Sequence, residues 1–298
     1  MVRLKYAVAG IALLGFAGFV LLSAPRPGDP AIYDGLSADA AHGAQVFWAA
    51  GCASCHTAPG AAASDTPLLA GGQSFASPFG TFLAPNISTD PIQGIGGWSL
   101  TDFAHAITDG VSPAGQHYFP ALPYSAYAKM LPQDVVDLKA FMDTLPADAT
   151  ASLPHQIGFP FNIRRSLGIW KLMFLRDDWV MDAASPEIER GRYIAEALAH
   201  CGECHTPRNM LGGLDISRWL GGAPDPSGKG SIPNITPGKL TWSEAEIVEY
   251  LTSGFTPEFD TVGGHMAHVV DNMAKLPASD RAAVAAYLKS VPAVMTVP

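Results

Sequence analysis

The sequence predicts an all-α fold in which two tandem copies of one helical unit follow an N-terminal transmembrane helix. Three observations support this prediction. The same cysteine and histidine motif occurs at residues 52–56 and 201–205, and a similar order of further motifs follows each copy. The third observation is an uncharged run of nineteen residues at positions 6–24. The remaining chain is long enough for two domains that each bury a core.

The N-terminal segment has the properties of an export signal or a membrane anchor. Arg3 and Lys5 precede the uncharged run, whose length is close to the roughly 20 residues that a spanning helix needs. Ser23 and Ala24 partly match the small residues before a signal-peptide cleavage site. Pro25 and the full spanning length favour retention of the helix as an anchor. The basic N-terminal flank predicts that this end stays in the cytoplasm and the rest lies outside it.

Both cysteine motifs have the form C-x-x-C-H and together use every cysteine of the chain. Their members are Cys52, Cys55, His56, Cys201, Cys204 and His205. Two thiols one helical turn apart can each form a thioether to a haem edge, while the adjacent imidazole binds the iron. Zinc would need four ligands converging on one centre, and a thioredoxin-like pair or a disulfide would not need a histidine after each second cysteine. The sequence therefore predicts two covalently bound haem c groups, with His56 and His205 as iron ligands.

The segments that follow the two motifs correspond to one another. Pro85-Asn86-Ile87 and Pro233-Asn234-Ile235 lie 33 and 32 residues beyond the first cysteine of each half. Each half then has a Trp-Ser pair, and an acidic residue three positions after the serine predicts a capping box that begins a short helix. These helices are expected to end near Gly110 and Gly254.

Each half ends with a further predicted helix, at residues 132–145 and 277–290, that begins with proline and carries apolar residues at helical spacing. We therefore predict a tether at residues 25–35, a first domain at 36–146, an interdomain segment at 147–184 and a second domain at 185–298. The interdomain segment is too apolar and aromatic for a free linker. We expect it to cross both domains and fix their placement; a membrane-touching or partner-docking surface is the alternative.

Met266 is the predicted sixth ligand of the second haem. It lies twelve residues after Gly254, between the short helix and the last helix of its half. A thioether opposite His205 would stabilise reduced iron relative to a second imidazole. A core methionine that fills an irregular gap is the alternative interpretation.

The corresponding position of the first half, twelve residues after Gly110, is Leu122, which cannot bind iron. We predict Met130, just before the last helix, as the sixth ligand of the first haem. His117 is the second candidate, and an open or water-bound site is the third.

The formal net charge of −9, with only 15% charged residues, excludes a broad basic surface. Nucleic-acid binding is therefore not expected.

These motifs resemble those of the membrane-bound cytochrome c subunits of bacterial periplasmic alcohol, gluconate and fructose dehydrogenases. The resemblance covers residues 36–291 and includes both attachment motifs, both Pro-Asn-Ile loops and the Met266 loop. It implies two class I cytochrome c domains on the periplasmic side of the bacterial inner membrane. Two departures are notable: many relatives carry three haems, and Leu122 replaces the methionine of their Pro-Ala-Met-Pro-Tyr loop.

The resemblance implies a non-enzymatic electron carrier of a respiratory chain. It would receive electrons from the catalytic subunit of a periplasmic dehydrogenase and pass them toward quinone or a cytochrome or oxidase acceptor. A dihaem cytochrome c peroxidase is the main alternative, because Leu122 leaves the first haem without its expected ligand. A cytochrome subunit of a larger respiratory complex is the other alternative.

Overall fold

The computed structural model describes residues 2–26, 28–228 and 230–295. Met1 of the predicted anchor, Pro27 of the predicted tether, and Lys229 and residues 296–298 of the predicted second domain lie outside this part. The first helix, α1, spans Val2–Leu22. Its segment Arg3–Leu22 has a mean hydropathy of 1.9, so its length and composition suffice to cross a membrane.

The first unit follows a 3₁₀ turn at Pro30–Tyr33. Its elements are α2 (Ala40–Ala49), α3 (Cys52–His56), β1 (Ser74–Ser77), β2 (Gly80–Leu83), α4 (Leu100–Ala104) with a π-helical continuation at His105–Asp109, α5 (Tyr124–Tyr127) and α6 (Pro132–Met142). The segment between the units contains β3 (Gln156–Ile157) and α7 (Ser166–Phe174).

The second unit repeats the helical order of the first. Its elements are α8 (Pro186–Arg192) with a π-helical continuation at Tyr193–Leu198, α9 (Cys201–His205), a 3₁₀ turn at Ile216–Arg218, β4 (Ala223–Pro224), β5 (Ser231–Ile232), α10 (Glu244–Ser253), α11 (His265–Met273) and α12 (Ala278–Ser290).

The fold is predominantly helical, but two small antiparallel sheets make it not strictly all-α. The strands β1, β2 and β3 pair in that order, and β4 pairs with β5. β2 pairs with β3 between Gly80 and Ile157, far apart in the chain. Strands this short carry no readable periodicity, and such a long-range pairing is decided only by the tertiary fold.

The crossing of the first and last helices is the same in both units and depends on a glycine. A Cβ atom at Gly43 of α2 would lie 1.9 Å from the carbonyl oxygen of Asp137 in α6. A Cβ atom at Gly191 of α8 would lie 1.9 Å from the carbonyl oxygen of Ala283 in α12. Each glycine therefore lets two helix backbones come into direct contact.

The predicted capping boxes are confirmed. Ser99 and Asp102 exchange side-chain and backbone hydrogen bonds at the start of α4, and Ser243 and Glu246 do so at α10. Gly110 ends the π-helical continuation of α4 in a left-handed conformation with φ +61°. Gly254 ends α10 in the same way, with φ +78°.

The haem-attachment motifs do not end the preceding helices, as the sequence had suggested, but form separate helical turns. Gly51 with φ +67° and His200 with φ +43° stand in the left-handed conformation immediately before α3 and α9. A left-handed residue breaks the right-handed helical path, so each motif begins a new helical turn. Gly51 adopts the conformation without strain, whereas His200 adopts one that residues with a side chain rarely take.

The segment between the units contacts both of them. On the first unit, β3 extends the β1–β2 sheet, and the Lys171 ammonium of α7 donates to the carbonyl of Gly110 at 2.7 Å. On the second unit, the buried Glu196 carboxylate accepts a hydrogen bond from the backbone N–H of Val180 at 2.7 Å. The units also touch directly, because the Tyr193 hydroxyl donates to the Asp134 carboxylate at 2.5 Å.

Candidate haem sites

Both motif histidines are held in the same way by the loop of their own unit. The His56 Nδ1 lies 2.8 Å from the carbonyl oxygen of Pro85, and the His205 Nδ1 lies 2.8 Å from that of Pro233. Because a carbonyl oxygen only accepts, Nδ1 carries the hydrogen and Nε2 is left free to bind a metal. The repeated Pro-Asn-Ile spacing was visible in the sequence, but the proline carbonyl as the partner of histidine was not predicted.

The protonation state of these groups fits an attachment site for haem. Burial lowers the pKa of His56 and of His205 and so favours the neutral imidazole that binds iron. All four cysteines are free thiols. Burial raises the pKa of Cys52 and of Cys201 to about 12. Each unit thus offers two thiols within one helical turn and one neutral imidazole, which is the set of residues that attaches haem c.

The asparagine of each Pro-Asn-Ile loop clamps the loop to the chain that follows the last helix. The Asn86 amide donates to the carbonyl of Thr150 at 2.8 Å, and the Asn234 amide donates to that of Val294 at 2.7 Å. In both loops the amide oxygen accepts a backbone N–H two residues later. The asparagine therefore fixes the loop whose proline orients the histidine.

Met266 and Leu122 occupy corresponding positions in the two units. A loop is closed by a hydrogen bond of 2.7 Å from Tyr118 N to Gly110 O in the first unit and from Val262 N to Gly254 O in the second. Leu122 and Met266 each follow four residues after the donor of that bond. Met266 is half-buried in the first turn of α11.

The two candidates for the sixth ligand of the first haem have different surroundings. Met130 is buried in the hydrophobic core just before α6. His117 is also buried, and its Nε2 lies 2.9 Å from the carbonyl oxygen of Ser23 at the end of α1. One ring nitrogen of His117 is therefore held by the N-terminal segment, and the other, Nδ1, is buried and has no hydrogen-bond partner among the described residues.

The two attachment motifs lie close to each other across the contact between the units. The Asn272 amide of α11 donates to the Ser54 hydroxyl, between the cysteines of the first motif, at 2.7 Å. Burial, and after it the neighbouring Cys204, raises the pKa of Cys55 to about 11. The Tyr127 ring lies 5.7 Å from the ring of His200, the residue before the second motif. The helix that begins with His265 and Met266 therefore touches the first motif directly.

Trp219 is a residue of the second site that the sequence analysis missed. Its indole N–H donates to the Tyr287 hydroxyl at 2.9 Å, and that hydroxyl donates to Glu196 at 2.7 Å. A Cβ atom at Gly202, inside the second motif, would lie 2.0 Å from the Trp219 ring. Trp219 therefore packs directly on the attachment turn. Gly202 and Trp219 lie 17 residues apart, so no local sequence pattern pointed to this contact.

Comparison with known proteins identifies the family of the chain. The family model "Cytochrome c" matches residues 40–146 and 188–292. A "Diheme cytochrome c-type" protein of Cereibacter sphaeroides is 54% identical, and the match covers 96% of this chain and 98% of that protein. A fructose dehydrogenase cytochrome subunit of Gluconobacter japonicus is 36% identical over 96% of this chain and 59% of its own length.

The cytochrome c subunit of an alcohol dehydrogenase (quinone) from Gluconacetobacter polyoxogenes is 32% identical over 98% of this chain and 62% of its own length. The chain thus spans about three fifths of these two dehydrogenase subunits. The relatives are named as cytochromes or cytochrome subunits, which favours electron transfer over the peroxidase alternative. The chain belongs to the cytochrome c family, as an electron-transfer protein with two covalently bound haem c groups.

Proposed function

We propose that this dihaem cytochrome is anchored in the bacterial inner membrane by α1 and accepts electrons from the catalytic subunit of a periplasmic dehydrogenase. It passes them through both haems to quinone or to a cytochrome or oxidase acceptor. The dehydrogenase partner is inferred from the relatives, because the fructose, alcohol and gluconate dehydrogenase cytochrome subunits all match this chain.

The observation that carries this proposal is the direct contact between the two sites. Ser54 of the first motif and Asn272 of α11 are joined by a hydrogen bond, and one hydrophobic core continues through both units. When bound, each haem takes up and releases one electron at its iron. The protein contributes a fixed separation of the two attachment turns.

Rigid ligation is the second contribution of the chain. His56 and His205 would bind the irons through Nε2, and Met266 would complete the second site. Met130 is proposed as the sixth ligand of the first site. Each proximal histidine is locked by a proline carbonyl, and the loop of that proline is locked by its asparagine. These hydrogen bonds limit ligand movement during a change of charge at the site.

The ligands can be tested with Met266→Ala and Met130→Ala in the holoprotein, each compared with Met210→Ala, whose side chain is 98% exposed. We expect each ligand variant to convert one of the two haems from low-spin to high-spin and to lower its reduction potential, because a thioether favours reduced iron. The control should leave both spectra unchanged. A Met130→Ala protein that keeps both low-spin spectra and both potentials would show that Met130 only packs.

The partner can be tested by gentle purification from the membrane. We expect a dehydrogenase subunit to co-purify, and its substrate to reduce both haems, with electrons then passing to an added quinone. Rapid consumption of hydrogen peroxide by the half-reduced protein, together with a high-spin haem in the wild type, would contradict the carrier and support the peroxidase alternative.

A further inference from the structure

The end of α1 is docked on the first unit and on α7. Ser23 is 0% exposed, and the Arg165 guanidinium donates to the Ser23 hydroxyl at 2.9 Å and to the Val20 carbonyl at 2.6 Å. A Cβ atom at Gly168 of α7 would lie 2.4 Å from the Ser23 carbonyl oxygen. The chain after α1 therefore does not lift the domain away from the helix, as the predicted tether at residues 25–35 would.

This docking places α7 near the membrane surface, if α1 is the anchor. α1 ends at Leu22, one residue before the docked Ser23. The headgroup layer extends only about 5–8 Å beyond each side of the hydrocarbon core. The helix α7 has 9 residues and is therefore about 13 Å long. The first residues of α7 therefore lie at the depth of the lipid headgroups, even if α7 is steeply inclined to the membrane plane.

Exposed apolar side chains are concentrated in this part of the molecule. We define the membrane-contact surface by its exposed members, which are Phe159, Phe161, Ile163, Leu172, Met173, Met210 and Leu211. They belong to three chain segments: the loop before α7, α7 itself and a turn of the second unit. Large apolar side chains that share one surface in a soluble domain commonly mark a contact with a partner or a membrane.

Contacts between these three segments make the surface continuous. The Phe161 ring lies 5.0 Å from the ring of Phe79 at the tip of the β1–β2 hairpin. A Cβ atom at Gly212, beside Met210 and Leu211, would lie 3.3 Å from that Phe79 ring. The Trp170 indole of α7 donates to the carbonyl of Leu211 at 2.9 Å. The interdomain segment and the second unit therefore contribute to one apolar face next to the end of α1, and Phe79 of the first unit packs beneath it.

We propose that the membrane-contact surface inserts into the interfacial layer of the same bilayer that α1 spans. This inference rests on the proposed anchoring. The continuity of the surface with the docked end of α1 favours a membrane over a protein partner, because α1 and α7 cannot separate without breaking the contacts of Ser23. The insertion would hold both haem sites at one height and orientation above the bilayer.

The insertion is apolar rather than electrostatic. All seven members of the surface are uncharged, and the formal net charge of the chain is −9. The neighbouring basic side chains are held by carbonyls of the protein: Arg164 donates to the His117 carbonyl, Arg165 caps α1 and Lys171 donates to the Asp109 and Gly110 carbonyls. Arg176 is followed directly by two aspartates. We therefore expect the depth of insertion to be the same in neutral and in anionic vesicles.

The test places a nitroxide spin label on the full-length holoprotein in phosphatidylcholine vesicles, with both haems reduced. The labelled variants are Leu172→Cys and Met210→Cys, and the matched control is Ile92→Cys, on an exposed loop of the first unit. We expect the first two labels to be accessible to oxygen and protected from a water-soluble nickel chelate. The control label should collide mainly with the chelate. Adding phosphatidylglycerol should leave this pattern unchanged.

Flotation of the vesicles after an alkaline carbonate wash tests the anchor separately. A chain that does not float overturns the anchoring, and the insertion that rests on it. A chain that floats while the label at Leu172 or Met210 is as accessible to the chelate as the label at Ile92 overturns the insertion alone. In that case, protection of these labels by an added dehydrogenase would assign the surface to a protein partner instead.

Discussion

Replacement of Gly191 by alanine is expected to destabilise the second unit by forcing α8 and α12 apart. The new Cβ would lie 1.9 Å from the Ala283 carbonyl oxygen and 2.8 Å from the Tyr287 Cβ. The first distance is about 1.5 Å short of ordinary contact, for which 3.4 Å is the lower bound. The obstacle is backbone of the opposite helix and cannot rotate away. The helices must therefore separate along their whole contact.

The magnitude follows from two opposing effects. Overpacking of a tight contact costs about 1–3 kcal/mol, and a backbone clash belongs at the upper end of that range. Alanine instead of glycine in a helix recovers up to about 1 kcal/mol. We expect a net loss of about 2 kcal/mol, which lowers Tm by about 4–8 °C because the two units share one hydrophobic core and unfold together.

The assay is thermal unfolding of the holoprotein, followed by far-ultraviolet circular dichroism and by haem absorption. Gly158→Ala is the matched control, because no atom lies within 4 Å of the Cβ position there. Gly43→Ala should repeat the effect in the first unit, since its Cβ would also lie 1.9 Å from a carbonyl oxygen. A Gly191→Ala protein that unfolds at the same temperature as Gly158→Ala would refute the role assigned to the helix crossing.

Two further predictions concern the contacts between segments. Asn272→Ala removes the hydrogen bond to Ser54 and should lower the free energy of unfolding by about 1 kcal/mol; an unchanged denaturation midpoint would contradict the contact. Burial lowers the pKa of Lys171 from 10.5 to about 8. Between these two pKa values the unfolded chain binds more protons than the folded chain. The free energy of unfolding of the wild type should therefore rise with pH relative to that of Lys171→Met. Parallel pH profiles of the two proteins would argue against a buried ammonium.

The docking of α1 has a consequence for the proposed membrane anchoring. A carrier on a flexible tether would present its haems in many orientations. Here the last turn of α1 is capped by Arg165, and Ser23 accepts from His117 through its carbonyl. Both contacts point to a fixed orientation of the two haem units relative to α1.

The sequence by itself determined the features that depend on residues close together in the chain. The two C-x-x-C-H motifs specify covalent haem attachment because both thiols and the imidazole come from one helical turn. The capping boxes at Ser99 and Ser243 specify helix starts because their hydrogen bonds close over three residues. The repeat assigned Met266 and Leu122 to corresponding positions of the two units. The loops before them are closed by equivalent hydrogen bonds, which agrees with that assignment.

Only the tertiary structure decided the contacts between distant residues. The proline carbonyls that orient His56 and His205 come from loops 29 and 28 residues away. Asn272 meets Ser54 across 218 residues, and Arg165 meets Ser23 across 142. Neither partner of such a pair carries a local signal of the other, because the contact exists only after the segments that carry the two residues have packed together. The arrangement of the two haem sites and the docking of α1 are therefore properties of the folded chain.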